Sequence, residues 1–420
     1  MSRKYDVTIF GATGFTGSLA AEHLARRLKV EGGWSKYAIA GRSATRLGEL
    51  KERLCKEVDE RFEQVGELVG SGSDPAFLEE MCSSSKVVLS YVGPYLKYGL
   101  PLARAAIAHG SDLCDITGEA TYQMELLKMH EEAKSKGVTI LTSCGYDSVP
   151  FDVGSLGLVK HLRARVGGAK GKKIFVQALT GPSKGSVSGG TIASAESFVG
   201  VSLENHCLDP KAPEGAEGAL PYSSLSYHEP SKTYLAPSIM EPVNAKVVYR
   251  TRGLLEDLYG DFTFQQFTAV KRRMVAILAA LLMGLANVVL ASGWARRSLV
   301  RWGVLPKPGE GPSKEIRETG FMNEFLYGQV QDEEGASGAV VWVKGRGGDP
   351  GYKLTSAMSL HTALCLSKKE EHKGEIHMLG GVLTPAASMG DLLWKTMPQT
   401  GVSFELIEDI GKVQVFKPKP

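Results

Sequence analysis

The first 150 residues predict an α/β fold built on a doubly wound parallel sheet, and three observations carry that expectation. Short apolar runs recur along the segment, stretches of helical character separate them, and a glycine-rich turn, Gly11 to Gly17, follows the first run directly. Strands that alternate with helices are joined by right-handed crossovers, which place helices on both faces of a parallel sheet.

The strand-like runs are 5–10 (YDVTIF), 37–40 (YAIA), 86–91 (KVVLSY), 111–116 (SDLCDI) and 138–142 (VTILT), with a short further run at 66–70 (GELVG). They are short and mostly apolar, as strands covered on both faces tend to be. Helical stretches are read at 17–29, 44–58, 75–83, 99–109 and 120–136. In this setting Gly11 permits a tight turn out of the first strand. Gly14 removes a Cβ from the path of a pyrophosphate, and Gly17 allows close helix packing. The helix beginning near Phe15 then aims its first amides and its positive dipole end at the phosphates. The spacing is GxxGxxG rather than GxGxxG, so a purely structural glycine turn is the alternative.

The second strand ends Ala40-Gly41-Arg42-Ser43, with Arg46 one turn later. An NAD-type site carries a carboxylate there for the ribose 2′-hydroxyl. Its absence, together with a guanidinium that can fork onto a 2′-phosphate, favours NADP(H), with NAD left open. The bland alternative is that Arg42 solvates the strand end.

Three further loops fall at the carboxyl ends of strands, where open α/β sheets bind ligands. The first reads Val92-Gly93-Pro94-Tyr95, then Lys97-Tyr98-Gly99. Tyr95 and Tyr98 are candidate proton donors, although packing is the commoner use of an aromatic side chain. The second is Asp115-Ile116-Thr117-Gly118-Glu119. Asp115 and Glu119 fit acid, base or substrate-anchor roles, and Glu119 equally fits the start of the next helix. The third is Cys144-Gly145-Tyr146-Asp147-Ser148-Val149-Pro150, where Ser148 is placed to cap a helix. Cys144 has no histidine beside it in the sequence to activate it as a nucleophile.

Beyond residue 150, strands are read at Lys173 to Leu179, Ala245 to Arg250, Val340 to Val343 and from Tyr352 onward, a mixed sheet that caps the cofactor cleft. Gly189-Gly190-Thr191 precedes a helical run from Ile192 to Leu203 and is either an anion-holding turn or a connector. The segment 207–242, rich in Pro, Ser and Glu, reads as a loop or lid. Met274 to Ala295 holds 22 residues without a charge, between Lys271-Arg272-Arg273 and Arg296-Arg297 with Arg301. Its length suffices to span a bilayer. It fits a monotopic anchor, a helix laid in a lipid surface, or a helix buried in the protein. The basic flanks, with Trp294 and Trp302, favour attachment to a membrane or lipid droplet.

Net charge is +3, too small to argue for a nucleic-acid partner. Six well-separated cysteines without a CxxC pair fit a reduced, intracellular setting. No secretory signal is read at the start. His372 and His377 flank Glu375 but match no zinc spacing, so no metal is expected.

GATGFTG at 11–17, AGRS at 40–43, VGPY at 92–95, DITGE at 115–119, CGYDSVPFDVG at 144–154 and GGVLTPAASMGDLL at 380–393 together resemble the saccharopine dehydrogenase-like oxidoreductases. That family includes the bacterial trans-acting enoyl reductases of cell-envelope lipid synthesis. The resemblance implies an N-terminal Rossmann domain over 1–150 and an inserted α+β cap over 151–350 that carries the apolar helix 274–295. It implies a C-terminal segment over 351–420 that returns to the Rossmann domain. Implied nucleotide contacts are Gly11, Thr13, Gly14, Phe15, Thr16, Gly17, Arg42, Ser43, Gly93, Pro94 and Tyr95. One departure stands out: relatives carry an adenine-contacting aspartate after the third strand, and Ser71 stands here. Asp74 either substitutes for it or caps the next helix.

The implied function is NADP(H)-dependent reduction of a lipid-like enoyl or carbonyl substrate. Tyr95 and Tyr98 are the catalytic candidates, with Glu119 in reserve. The expected place is a membrane or lipid-droplet surface facing the cytosol, and a homodimer is left open. Two other readings stand beside it: a non-catalytic nucleotide-binding protein of a lipid surface, and an amino-acid-linked saccharopine-type dehydrogenase, for which no carboxylate clamp is found.

Overall fold

Strands buried on both faces, with the half-exposed edge strand β3, build the first sheet: β1 (Tyr5–Phe10), β2 (Tyr37–Gly41), β3 (Gly66–Val69), β4 (Ser85–Ser90), β5 (Asp112–Asp115) and β6 (Thr139–Leu141). The computed structural model describes residues 3–167, 172–185, 207–209, 223–292, 301, 311–332 and 335–416. Helices α1 (Phe15–Glu31), α2 (Ala44–Glu57), α3 (Pro75–Ser84), α4 (Tyr95–His109), α5 (Ala120–Leu127) and α6 (His130–Ser135) form the connections. The expected single helix over 120–136 is thus two, broken at Lys128 and Met129.

A second sheet is built from β7 (Ile174–Thr180), β8 (Tyr227–His228), β9 (Thr233–Pro237), β10 (Phe262–Val270), β11 (Met322–Asp332), β12 (Gly335–Gly345) and β14 (Val402–Ile407). The C-terminal part serves both sheets. Strand β13 (Gly381–Leu383) extends the first, giving the order β13-β6-β5-β4-β1-β2-β3. Every pairing in it is parallel. The second sheet runs β14-β12-β11-β7-β10-β9-β8, antiparallel except for β7 with β10. The helix Thr355–Ser367 is buried along nearly its whole length, against α1 and β4.

Helix α7 (Val149–Arg165) joins the two sheets. One side packs on β11 and β12, where Gly154 and Gly328 leave room for Leu326, Leu158 and Leu162. Another side meets the helix Pro385–Thr396, with Trp394 over Gly157. A helix enclosed on several sides shows no apolar stripe in its sequence.

Three expectations from the sequence are corrected. Ala245 to Arg250 is helical, inside Glu241–Leu254. This helix carries Pro242 in its first turn, where proline is tolerated, and is buried from Val243 through Gly253. Burial all round erased the periodicity that separates helix from strand. The chain from Tyr352 is a helical turn leading into Thr355–Ser367, not a strand. The long apolar helix expected over 274–295 is a 19-residue helix, Arg273–Ala291. Among the described residues no helix is long and apolar enough to cross a membrane. Trp294, Trp302, Arg296, Arg297 and the run from Gly189 to Leu203 lie outside the described residues.

Candidate active site

The turn after β1 has no room for side chains. Gly11 sits at φ +83, a left-handed conformation that favours glycine, and a Cβ there would lie 2.9 Å from Val92 Cγ2. A Cβ on Gly17 would collide with the Gly11 carbonyl oxygen. The Gly11 and Ala12 amides donate to the Ala40 carbonyl at 2.9 and 3.1 Å, and the Gly14 amide donates to Gly11 at 2.9 Å. These bonds tie the turn to β2. Gly14 is the exposed N-cap of α1, and the first turn of that helix has neither a side-chain cap nor an acidic residue. Uncapped amides at the head of a 17-residue helix are a ready anion site. The residues present therefore fit a dinucleotide pyrophosphate.

At the end of β2, Arg42 is exposed and Ser43 caps α2 by accepting the Arg46 amide at 3.3 Å. The Arg46 guanidinium reaches back to the Thr13 carbonyl at 2.7 Å. Two arginines thus flank the place where a carboxylate would mark an NAD site. After β3, Asp74 caps α3 through the Ala76 amide at 3.1 Å, so it performs the capping role weighed for it. Ser71 bonds Ser73 at 2.9 Å.

The loops after β4, β5 and β6 are knitted together. Glu119 Oε1 accepts the Tyr95 amide and Oε2 accepts the Leu96 amide, each at 3.0 Å. Asp115 Oδ1 accepts the Thr117 amide at 3.0 Å and Oδ2 accepts the Tyr122 hydroxyl at 3.1 Å. Ser143 Oγ donates to the Thr117 carbonyl at 2.7 Å. Burial raises the Asp115 carboxyl to about 7, against the pull of those donors. The loop after β6 meets the second sheet, where the Tyr146 hydroxyl donates to Glu324 Oε1 of β11 at 2.6 Å. The Tyr146 amide donates to Thr355 Oγ1 at 3.0 Å.

Comparison with known proteins agrees with this geometry. Residues 7–141 match the saccharopine dehydrogenase NADP binding domain. A Mycobacterium tuberculosis protein assigned as a trans-acting enoyl reductase is 34% identical over 428 residues, covering 96% of this chain and 97% of its own. The chain belongs to the saccharopine dehydrogenase-like oxidoreductases. The trans-acting enoyl reductase of Mycobacterium bovis is 31% identical over 431 residues, 95% of this chain and 97% of that one. Among solved structures, apo saccharopine dehydrogenase (L-Glu forming) from Saccharomyces cerevisiae shares the fold. Its TM-score is 0.52 at 13% identity, over 95% of this chain and 98% of that one.

As a saccharopine dehydrogenase-like oxidoreductase the protein uses NADP. When bound, the nicotinamide supplies hydride chemistry, while the protein binds, orients and manages protons. The proton-donor candidates are placed differently from one another. Tyr95 is buried, its ring 5.7 Å from that of Tyr122 and its hydroxyl donating to the Ser90 carbonyl at 3.2 Å. Glu119 is buried and holds the first amides of α4, so it caps that helix. Tyr98 is half-buried near the turn after β3, since a Cβ on Gly72 would touch its ring at 3.5 Å. That turn lies across β1 from the loops after β5 and β6. The structure thus brings Tyr95 and Glu119 together as packing and scaffold, and sets Tyr98 apart from them. Ser148, read as the cap of α7, stands at the N-cap position but makes no side-chain cap bond. Among the described residues no His, Cys, Asp and Glu side chains gather as a metal site.

Two features escaped sequence reasoning. Arg317 lays its guanidinium over the Phe15 ring at 5.4 Å, bringing a cation from far along the chain to the head of α1. Glu324 sits within an apolar strand, and a buried acid in such a run was the available signal.

Proposed function

We propose that this protein reduces an enoyl or carbonyl group of a lipid-like substrate with NADPH, at a membrane or lipid-droplet surface facing the cytosol. In this reading the Gly11–Gly17 backbone holds the pyrophosphate. Arg42 and Arg46 hold the 2′-phosphate, and Gly93 and Pro94 line the nicotinamide ribose. The trans-acting enoyl reductase relatives support the substrate class.

The observation that carries the lipid-facing reading is the helix Arg273–Ala291. Its inner side packs on β9, with Ala276 buried. Its outer side exposes Met274 (70%), Leu278 (56%), Leu281 (67%), Leu282 (57%) and Leu285 (61%). These positions share one helical face, and Lys271, Arg272 and Arg273 stand exposed at its start. An apolar stripe beside a basic cluster suits a helix lying in the plane of an anionic lipid surface. Exposed apolar patches of this kind mark interaction sites.

Purified protein incubated with NADPH and a trans-2-decenoyl thioester, with and without anionic vesicles, tests the reading. Oxidation of NADPH, faster on vesicles, is expected. Binding of NADPH without turnover of any enoyl or carbonyl lipid would instead support a non-catalytic nucleotide-binding protein.

A further inference from the structure

The face of the second sheet that meets α7 changes character along its length. On β11 it runs Val330, Gly328, Leu326 and then Glu324; across the ladder on β7 it runs Ile174, Val176, Ala178 and then Thr180. On β10 the same face runs Phe262, Phe264 and then Gln266. The alternating pattern asks for apolar residues at these last positions, and polar ones stand there. A local break in an otherwise consistent pattern marks a functional site.

The polar end faces the loop after β6. Tyr146 donates to Glu324 at 2.6 Å, while the other Glu324 oxygen is buried without a hydrogen-bond partner. Asp147 Oδ1 and Asn244 Oδ1 are likewise buried without one, although Asn244 Nδ2 donates to Gln266 at 2.8 Å. Buried oxygens left unmatched are costly in a settled core, so a cluster of them calls for a ligand or a shared proton. The cluster stands at the carboxyl edge of the first sheet, where ligands of such sheets bind. It belongs to the half of that edge carrying β4, β5 and β6, across β1 from the Arg42 end.

We infer that Tyr146 is the proton donor to the substrate being reduced and that Glu324 positions and recharges it. The inference rests on the reductase reading above and names the acid that reading lacks. Hydride addition to the β-carbon of an enoyl group moves the alkene electron pair toward the carbonyl. The Tyr146 O–H bond then breaks, its proton forms the new C–H bond at the α-carbon, and that electron pair is consumed. The Glu324 O–H bond passes its proton to the phenolate oxygen, and the resulting carboxylate regains a proton from solvent. The overall reaction takes one hydride from NADPH and one proton from water. Burial raises the Glu324 carboxyl to about 8, with Asp147 adding to the rise and the Tyr146 hydroxyl and Thr180 opposing it. Among the described residues the groups that bear on it are Tyr146 and Asp147 from the loop and Thr180 of β7, while Asn244 bonds Gln266 and Asp147.

Glu324→Gln and Tyr146→Phe test the pair. Both variants are expected to bind NADPH with wild-type affinity and to lose on the order of 10²-fold or more in kcat on the decenoyl thioester. Wild-type kcat is expected to fall as pH rises through about 8, and Glu324→Gln to lose that limb. A readout independent of turnover is the infrared carbonyl band of a protonated carboxylic acid in the protein without nucleotide. Asp115, Asp147 and Asp152 contribute to this band at pH 7 as well, so Glu324→Gln should remove one component of it and Tyr146→Phe should shift that same component. A band unchanged by Glu324→Gln, or wild-type turnover in both variants, overturns the inference while leaving the reductase reading intact. A wild-type protein that binds NADPH but reduces no enoyl or carbonyl lipid removes that reading, and the inference with it.

Discussion

Glu119 holds the backbone of Tyr95: its carboxylate accepts the amides of Tyr95 and Leu96, one on each oxygen, at 3.0 Å. The carboxylate sits at the N-terminus of α4, where negative charge is favoured by the dipole and the amides lack helical partners. It thereby fixes the loop after β4 against the loop after β5.

Replacing Glu119 with Ala is expected to cost about 1–3 kcal/mol, the range for leaving buried donors unsatisfied. Chemical denaturation of the variant checks this. Unchanged stability would show that the two amides are satisfied in another way.

Arg42→Ala should erase most of the NADPH preference, weakening NADPH about 10-fold to 100-fold with little change for NADH, since one charge-assisted contact is worth roughly 1.5–3 kcal/mol. Arg46→Ala should do less, because Arg46 already spends one donor on the Thr13 carbonyl. Calorimetric titration of both nucleotides reads the two effects separately.

Gly17→Ala forces a Cβ against the Gly11 carbonyl oxygen, and the turn must open. Overpacking of this kind typically costs about 1–3 kcal/mol. Nucleotide binding should be lost before the fold is, and titration calorimetry beside a melting curve will separate them.

Asp152 contributes a pH dependence of stability with a definite sign. Its carboxyl is buried at the start of α7, accepts the Ala386 amide at 2.9 Å and the Thr251 hydroxyl, and is raised by burial to about 7 from an ordinary value of 3.8. The folded state therefore holds a proton that the unfolded chain has released. Its contribution is complete below about 3.8 and is lost as pH rises to about 7. Urea midpoints for the wild type should carry this fall between pH 5 and 7.5. Asp152→Asn should fall less over the same interval.

Leu281→Asp with Leu285→Asp should reduce association with anionic vesicles by tenfold or more while leaving the melting temperature nearly unchanged. Both side chains are mostly exposed and lie on the outer face of their helix. Each buried leucine contributes about 1.5–3 kcal/mol on leaving water. Sedimentation with vesicles at low and high salt would also weigh the Lys271-Arg272-Arg273 cluster, since surface attraction is screened by salt.

The N-terminal half of the fold was legible because its signals are local. A strand buried on both faces announces itself by composition, and the run from Gly11 to Gly17 needs glycine for reasons that lie within the turn and its immediate neighbours. Arg42 and Arg46 were visible by their distance from the end of β2. The helix Glu241–Leu254 was misread because burial on all sides removes the alternation between polar and apolar faces.

The sequence by itself determined the parallel sheet, the glycine turn after β1 and the absence of a carboxylate after β2, since each depends on residues close together in the chain. Only the tertiary structure decided what the acids and tyrosines do. Glu119 became a helix cap because α4 begins 3.0 Å from its oxygens, and Tyr146 became an acid candidate because β11 delivers Glu324 to it across 178 residues. Contacts at such separation are set by how two sheets pack on α7, and no spacing within the chain encodes them.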